Sequence, residues 1–229
     1  MTENRKIGLA TLCLGDCLPF MRSCADNQFE VAIVDPPYAV GANDGSFGRG
    51  GAKSIVQDYR DDLQKYASAD DPPSAEYFSQ LFRISRQQVI WGANYYPQYL
   101  RHAGWIVWDK NKTDGLLSEA ELAFQSFDKV VRIFRHEWEG FRKGSGSFEQ
   151  TSNRTIHPNQ KPVRLYEWVL TTFCEGFTSV LDTHLGSGSS AIACNKLGFE
   201  LTGIELHQDY YESACTRIDD AQRQEKLFA

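Results

Sequence analysis

Short apolar runs alternate with longer segments of helical period from one end of the chain to the other. Residues 9–14 form an apolar run that stops at Gly15-Asp16, and residues 18–24 follow with a short helical pattern. The run Val31-Ala32-Ile33-Val34 has no polar interruption, as expected of a strand covered on both faces. It ends at Asp35-Pro36-Pro37, because proline cannot continue a central strand. Helical spacing returns over 75–84, and strands are expected at 88–91 and 105–108. Residues 120–124 and 130–134 read as a strand pair, antiparallel and near one edge. A helix is expected over 162–173, with Pro162 in its first turn and Leu165, Val169 and Phe173 on one face. Then come a strand at 179–181, a helix at 189–197 ended by Gly198, a strand at 200–204 and a final helix at 208–221.

This alternation predicts a Rossmann-like α/β fold, a mostly parallel twisted sheet with helices on both faces and an antiparallel edge strand. No internal repeat or linker divides it, so a single domain over 1–229 is expected. Two stretches interrupt the pattern. The glycines Gly41, Gly45, Gly48, Gly50 and Gly51 make a loop beside the Asp35 turn, a candidate lid, within an insertion near 41–66. A polar Gly-Ser-rich stretch makes a second insertion near 137–157, and together the two offer a small recognition surface.

Composition changes this picture in three respects. No apolar run reaches the roughly 18 residues of a membrane span, so a cytoplasmic protein without membrane contact is expected. Arg5-Lys6 before residues 7–14 imitates a signal peptide, but Gly15-Asp16 cuts the apolar run short. Cys13, Cys17, Cys24, Cys174, Cys194 and Cys215 lack Cys-x-x-Cys spacing and the five histidines are scattered, which predicts reduced thiols and no metal site. The net charge of −6 opposes nucleic-acid binding, yet the charge is uneven. Lys129, Arg132, Arg135, Arg142, Lys143, Arg154, Lys161 and Arg164 crowd one stretch, while 58–76 and the tail after Glu200 are acidic. A basic strip on an acidic body fits local contact with nucleic acid, although such runs are often only solvated faces.

Open parallel sheets bind ligands beyond the C-terminal ends of their strands, and two strand ends carry candidate chemistry. At Asp35-Pro36-Pro37-Tyr38 a carboxylate, carbonyls without neighbouring proline N–H groups and an aromatic ring converge. Asp35 and the Pro36 carbonyl can each accept one hydrogen of an exocyclic amine, and Tyr38 can stack on a planar base. A capped turn explains that tetrapeptide equally well. The second is Asp182-Thr183-His184-Leu185-Gly186-Ser187-Gly188-Ser189, between a strand and a helix, where glycines permit a tight turn and close ligand approach. The next strand ends at Glu205, placed to meet ribose hydroxyls. A dinucleotide enzyme would also fit, but the third glycine of its fingerprint is missing.

Taken together, the motifs resemble the β group of DNA amino-methyltransferases, in which the catalytic motif precedes the cofactor motif. Asp35-Pro36-Pro37-Tyr38 matches the catalytic motif. The 182–188 segment matches a cofactor turn often written Asp-Pro-Phe-x-Gly-Ser-Gly, with Thr183 and His184 as departures. His157-Pro158-Asn159-Gln160-Lys161-Pro162 matches His-Pro-Thr-Gln-Lys-Pro, with Asn for Thr, and the resemblance puts His157 and Lys161 at the methionine end of the cofactor. Asp16 resembles the acid that contacts the cofactor's adenine.

The resemblance implies S-adenosyl-L-methionine as cofactor and DNA as partner, with a flipped base in the pocket and adenine N6 as the methylated amine. Cytosine N4 is the alternative, more often with Ser in place of Asp35; RNA or protein amides usually go with Asn there. A silent nucleic-acid-binding protein that kept the fold is the rival of another class. Lys110, Lys112, Arg142, Lys143 and Arg154 are the candidate phosphate contacts, and Phe47, Tyr59 and Trp138 the aromatics to watch. A homodimer and a cognate restriction enzyme are further associations of the group.

Overall fold

The computed structural model describes residues 3–37, 72–100, 104–111, 118–137, 156 and 160–228. Among the described residues nine strands form one sheet, β1 (Glu3–Ile7), β2 (Ala10–Leu14), β3 (Phe29–Val34), β4 (Ser85–Trp91), β5 (Gly104–Asp109), β6 (Ala120–Gln125), β7 (Val131–Arg135), β8 (Ser179–Asp182) and β9 (Glu200–Glu205). Their order across the sheet is β1-β2-β9-β8-β3-β4-β6-β5-β7. Only β1 and β6 run against the rest. The helices are α1 (Cys17–Ser23), α2 (Ala75–Ile84), α3 (Val163–Phe173), α4 (Ser189–Leu197) and α5 (Gln208–Phe228).

The strands with the most continuous apolar runs occupy the middle. Along β3, Val31 and Ile33 enter the core beneath α3, α4 and α5, with Leu165, Val169, Ile192 and Ile218. Ala32 and Val34 point the other way, into the core with Met21 of α1 and Phe78 and Leu81 of α2. Period-two alternation thus feeds two apolar layers, and the sheet is covered on both faces as the sequence predicts. Capping defines helix starts on one face. Asp16 accepts from the Leu18 amide at 2.9 Å and Ser74 from the Tyr77 amide at 3.2 Å.

Three expectations change. First, the polar stretch Glu3–Ile7 is a strand that pairs antiparallel with β2, so the signal-like N-terminal pattern is a hairpin at the sheet edge. Charged residues suit such an edge, and Arg5 reaches Glu212 of α5 at 3.0 Å. Second, β6 and β7 are not paired with each other, because β5 lies between them, antiparallel to β6 and parallel to β7. The turn from β6 to β7 crosses the start of β5, where the Gly104 amide donates to the Asp128 carbonyl at 2.7 Å. A Cβ on Gly104 would stand 2.5 Å from the Val130 carbonyl oxygen and 2.7 Å from that of Asp128, so the crossing requires a residue without a side chain. Gly104→Ala is therefore expected to destabilise the fold by about 3 kcal/mol, read as a lowered midpoint in urea unfolding; an unchanged midpoint would show that the turn simply moves aside. Third, Pro162 precedes α3 as its N-cap rather than standing inside the first turn.

Among the described residues no helix is long and apolar enough to cross a membrane. The six cysteines are free thiols.

Candidate active site

Four neighbouring strands, β2, β9, β8 and β3, end at one rim of the sheet and set out the candidate residues in that order. Gly15 and Asp16 follow β2, Glu205 closes β9, Asp182 closes β8, and Asp35 follows β3. The proline turn and the glycine turn, remote in sequence, are side by side because β3 and β8 are adjacent and parallel.

The glycine turn is organised by two buried carboxylates. Glu205 Oε2 accepts from the Gly186 amide at 2.8 Å, and Oε1 from the His207 amide at 3.0 Å. Asp182 accepts from the His184 amide at 3.0 Å and from the Ser190 hydroxyl at 2.5 Å. Burial pushes the Asp182 carboxyl up to about 7 and raises that of Glu205, while their hydrogen bonds work in the opposite direction. Gly186 and Gly188 have φ of 52° and 75°, the left-handed region that favours glycine. A Cβ on Gly188 would also stand 2.8 Å from Ile218 of α5. Leu185 is buried in the core between the strands and α4. Ser187 and Ser189 share a hydroxyl contact at 3.1 Å, and Arg217 of α5 donates to the Ser187 carbonyl at 2.8 Å and the Ser189 hydroxyl at 3.0 Å.

Thr183 and His184, the departures from the family turn, satisfy each other. The Thr183 hydroxyl lies 2.7 Å from the Tyr77 hydroxyl and 2.9 Å from His184 Nδ1, and the His184 ring meets Tyr77 edge-on. Burial lowers the His184 imidazole to about 4, so the ring is neutral at pH 7. A folded-state value below the ordinary 6.5 gives stability that is complete above pH 6.5 and lost as pH falls through about 4. Asp182 acts oppositely. Its raised value gives stability that is complete below 3.8 and lost as pH rises through about 7. His184→Phe removes only the first effect. Its melting temperature should therefore rise relative to that of the wild type as pH is lowered from 6.5 to 4.5 in scanning calorimetry; parallel curves would mean that the ring titrates as in solvent.

Across the rim, Asp35 offers two unlike oxygens. Oδ2 accepts from Lys161 Nζ at 2.5 Å, whereas Oδ1 is buried and takes no hydrogen bond among the described residues. Burial raises the Asp35 carboxyl, and the Lys161 ammonium opposes that rise. The Tyr96 hydroxyl, just beyond β4, lies 3.0 Å from the Pro36 carbonyl and 2.6 Å from that of Pro37. It has one hydrogen to share, and the shorter contact leaves lone pairs on Pro36 for another donor.

Lys161 joins the two halves. Its ammonium is on Asp35 and its carbonyl accepts from Ser189 Oγ at 2.7 Å. The resemblance placed this lysine at the cofactor; here its charge faces Asp35 and Glu121. Lys110 also has a carboxylate partner. Its ammonium is 2.7 Å from Glu121 Oε1 with a side chain 14% exposed, so it is not a free surface cation for phosphate. Asp16 accepts from the first turn of α1 beside Glu205, whose carbonyl takes the Gly15 amide at 2.8 Å. Tyr38, the Gly41–Lys53 loop, Lys112, Arg142, Lys143, Arg154, His157, Phe47, Tyr59 and Trp138 lie outside the described residues. Sequence reasoning missed Glu121, Tyr96, Tyr77 and Arg217. Only Glu121 left a signal, an acid between the apolar residues Ala120 and Leu122 of a strand.

A doubly wound sheet with a carboxylate-braced glycine turn, next to a carboxylate with one buried acceptor oxygen unengaged among the described residues, is consistent with a Rossmann-like methyltransferase. More specifically, the sequence model of the N6/N4 DNA methylase family matches residues 87–216, more than half of the chain, and the chain belongs to that family. Methylation by this family uses S-adenosyl-L-methionine. The chain is 26% identical to YubD of Escherichia coli K12 over 91% of this chain and 90% of that one. It is 23% identical to the type II methyltransferase M.HpaI of Haemophilus parainfluenzae, over 91% and 74%. Among solved structures, TTHA0409 of Thermus thermophilus, complexed with S-adenosyl-L-methionine, superposes with a TM-score of 0.54 at 18% identity, covering 92% of this chain and 95% of that one. The cytosine-N4-specific PvuII DNA methyltransferase superposes at 0.60 with 11% identity, over 98% and 93%. At these identities the structural matches speak for the fold.

The buried acids and glycine turn fit such a cofactor. The turn is left-handed at Gly186 and Gly188, with Gly188 packed closely under Ile218 of α5, and the carboxylates of Asp182 and Glu205 retain lone pairs for hydroxyl or amine donors.

Proposed function

We propose that the chain methylates the N6 amine of adenine in DNA. The observation that carries this reading is Asp35, whose Oδ1 is a buried acceptor with no partner among the described residues while Oδ2 is tied down. The amine of adenine has two hydrogens. One goes to Asp35 Oδ1 and the other to the Pro36 carbonyl, with Tyr38 stacked on the ring. An exocyclic amine is a poor nucleophile because its lone pair is delocalised. Two acceptors that favour a pyramidal nitrogen release that pair, and the rest of the acceleration is positioning and electrostatics. S-adenosylmethionine supplies a methyl group on a sulfonium, which departs as a neutral thioether. The nitrogen would gain the methyl and then release one hydrogen as a proton to solvent water. To enter the pocket the base leaves the stack at a cost of a few kcal/mol.

In this reading Asp182, His184, Leu185, Gly186, Ser187, Gly188 and Ser189 line the cofactor, Glu205 takes its ribose hydroxyls and Asp16 its adenine, with His157 near the methionine end. Lys112, Arg142, Lys143 and Arg154 contact phosphate, and the insertions near 41–66 and 137–157 read the target within a single domain. A homodimer and a cognate restriction enzyme belong to the same expectation, as does the cytoplasm, where the DNA is. Asp35, in place of the serine more common in cytosine-N4 enzymes, supports adenine.

The test is expression in a methylation-free host, followed by mass spectrometry of the DNA nucleosides. N6-methyladenine is expected. N4-methylcytosine would move the activity to the other base. Neither product, with cofactor still bound, would leave a silent nucleic-acid-binding protein.

A further inference from the structure

Asp35 is the first of four alternating charges that form a row beside the proline turn. Lys161 Nζ is 2.5 Å from Asp35 Oδ2 and 3.2 Å from Glu121 Oε2, and Lys110 Nζ is 2.7 Å from Glu121 Oε1. The residues come from the end of β3, the approach to α3, the body of β6 and the end of β5. The Lys161 side chain is 3% exposed. The row packs on two tryptophans, with Lys161 Nζ 5.7 Å from the Trp91 ring centre and Lys110 Nζ 5.1 Å from that of Trp108. Burying such charges is costly, and apolar residues of similar volume often give equal stability. Stability alone does not account for the row.

We propose that Lys161 and Glu121 are positioning residues for methyl transfer. Lys161 pins one oxygen of Asp35 so that the other faces the amine, and Glu121, anchored by Lys110, limits how strongly Lys161 draws on that carboxylate. The inference rests on Asp35 as the acceptor of the amine hydrogen.

Its signature is a pair of opposite pH effects. The titratable groups that act on Asp35 are Lys161 and Lys110, which favour its charge, and Glu121, which opposes it. Asp182 on β8, Tyr96 beyond β4 and Tyr166 on α3 are also in electrostatic contact with Asp35. Removing the Lys161 charge raises the Asp35 carboxyl; removing the Glu121 charge lowers it. The experiment is single-turnover methyl transfer to genomic DNA from a methylation-free host, measured from pH 5.5 to 9.

In Lys161→Met the acid limb of the rate should move to higher pH by about one pH unit or more, with at least a tenfold loss at pH 7 and cofactor affinity within threefold. In Glu121→Gln, which keeps the volume, the limb should move to lower pH, and Lys161→Arg should restore most of the Lys161→Met loss. Limbs that stay in place in both Lys161→Met and Glu121→Gln, or that move in the same direction, overturn the inference. Should Lys161→Met not fold, the direction of the Glu121→Gln limb decides. Asp35→Asn separates the two levels. Wild-type rates there remove Asp35 itself, whereas loss of activity there with unshifted limbs in the other variants removes only the roles of Lys161 and Glu121.

Discussion

Asp35→Ala should lower the single-turnover rate of methyl transfer by about 10²–10³-fold and leave the affinity for S-adenosylmethionine almost unchanged. Substitution removes the acceptor that draws on the amine, but none of the backbone contacts of the glycine turn, whose acids are Asp182 and Glu205. It also strips Lys161 of one of its two carboxylate partners among the described residues. A buried cation left with half its compensation costs stability, so the melting temperature should fall as well. Asp35→Asn loses the same charge but keeps a hydrogen-bond acceptor within reach of Lys161. It keeps the volume and one acceptor oxygen, and should be folded, bind cofactor and turn over at a rate between those of Asp35→Ala and the wild type. Rapid-quench transfer of tritiated methyl, with calorimetric binding of the cofactor alongside, separates chemistry from folding. Wild-type turnover in Asp35→Ala would take the proline turn out of the reaction.

Glu205→Ala should have the second largest effect, and on binding rather than chemistry. Both carboxylate oxygens accept backbone amides, from Gly186 and His207, so the side chain fastens the glycine turn to the end of β9. Its loss leaves two N–H groups without partners, each costing about 1–3 kcal/mol where water cannot reach, and removes the acceptor for ribose hydroxyls. An increase in the cofactor Kd of about 100-fold, or roughly 2.7 kcal/mol, is expected by calorimetry, with a lower melting temperature. Glu205→Gln retains one acceptor oxygen and should recover most of the stability and only part of the affinity. An unchanged Kd in Glu205→Ala would mean that this acid serves the turn alone.

The parts of the site that sequence made legible are those written in local pattern. The buried run Val31–Val34 stopped by two prolines, and the glycines between β8 and α4, each announce a strand end. Parallel α/β topology then brings such ends to one rim. What was not legible depends on partners far along the chain. Glu121 occupies a strand position that alternation alone cannot separate from a solvent-facing one, and Lys110 looked like a surface cation. Each is held half-buried by the other, with the buried Lys161 completing the row. The order β6-β5-β7 was missed for a similar reason. Residues 120–124 and 130–134 have the spacing of a hairpin, and only the bare backbone of Gly104 lets the connection cross to the far side of β5. The strand β1 escaped notice because Glu3, Asn4, Arg5 and Lys6 carry no apolar alternation; an edge strand needs little.

Both turns are expected to serve one bound cofactor and one bound base, and a crystal structure with S-adenosylmethionine bound tests this most directly. Density for the cofactor along the Gly186–Gly188 turn, with its methyl-bearing end directed toward Asp35 and Pro36, is the predicted result. Cofactor bound at any other rim of the sheet, or with that end turned away from Asp35, would contradict it.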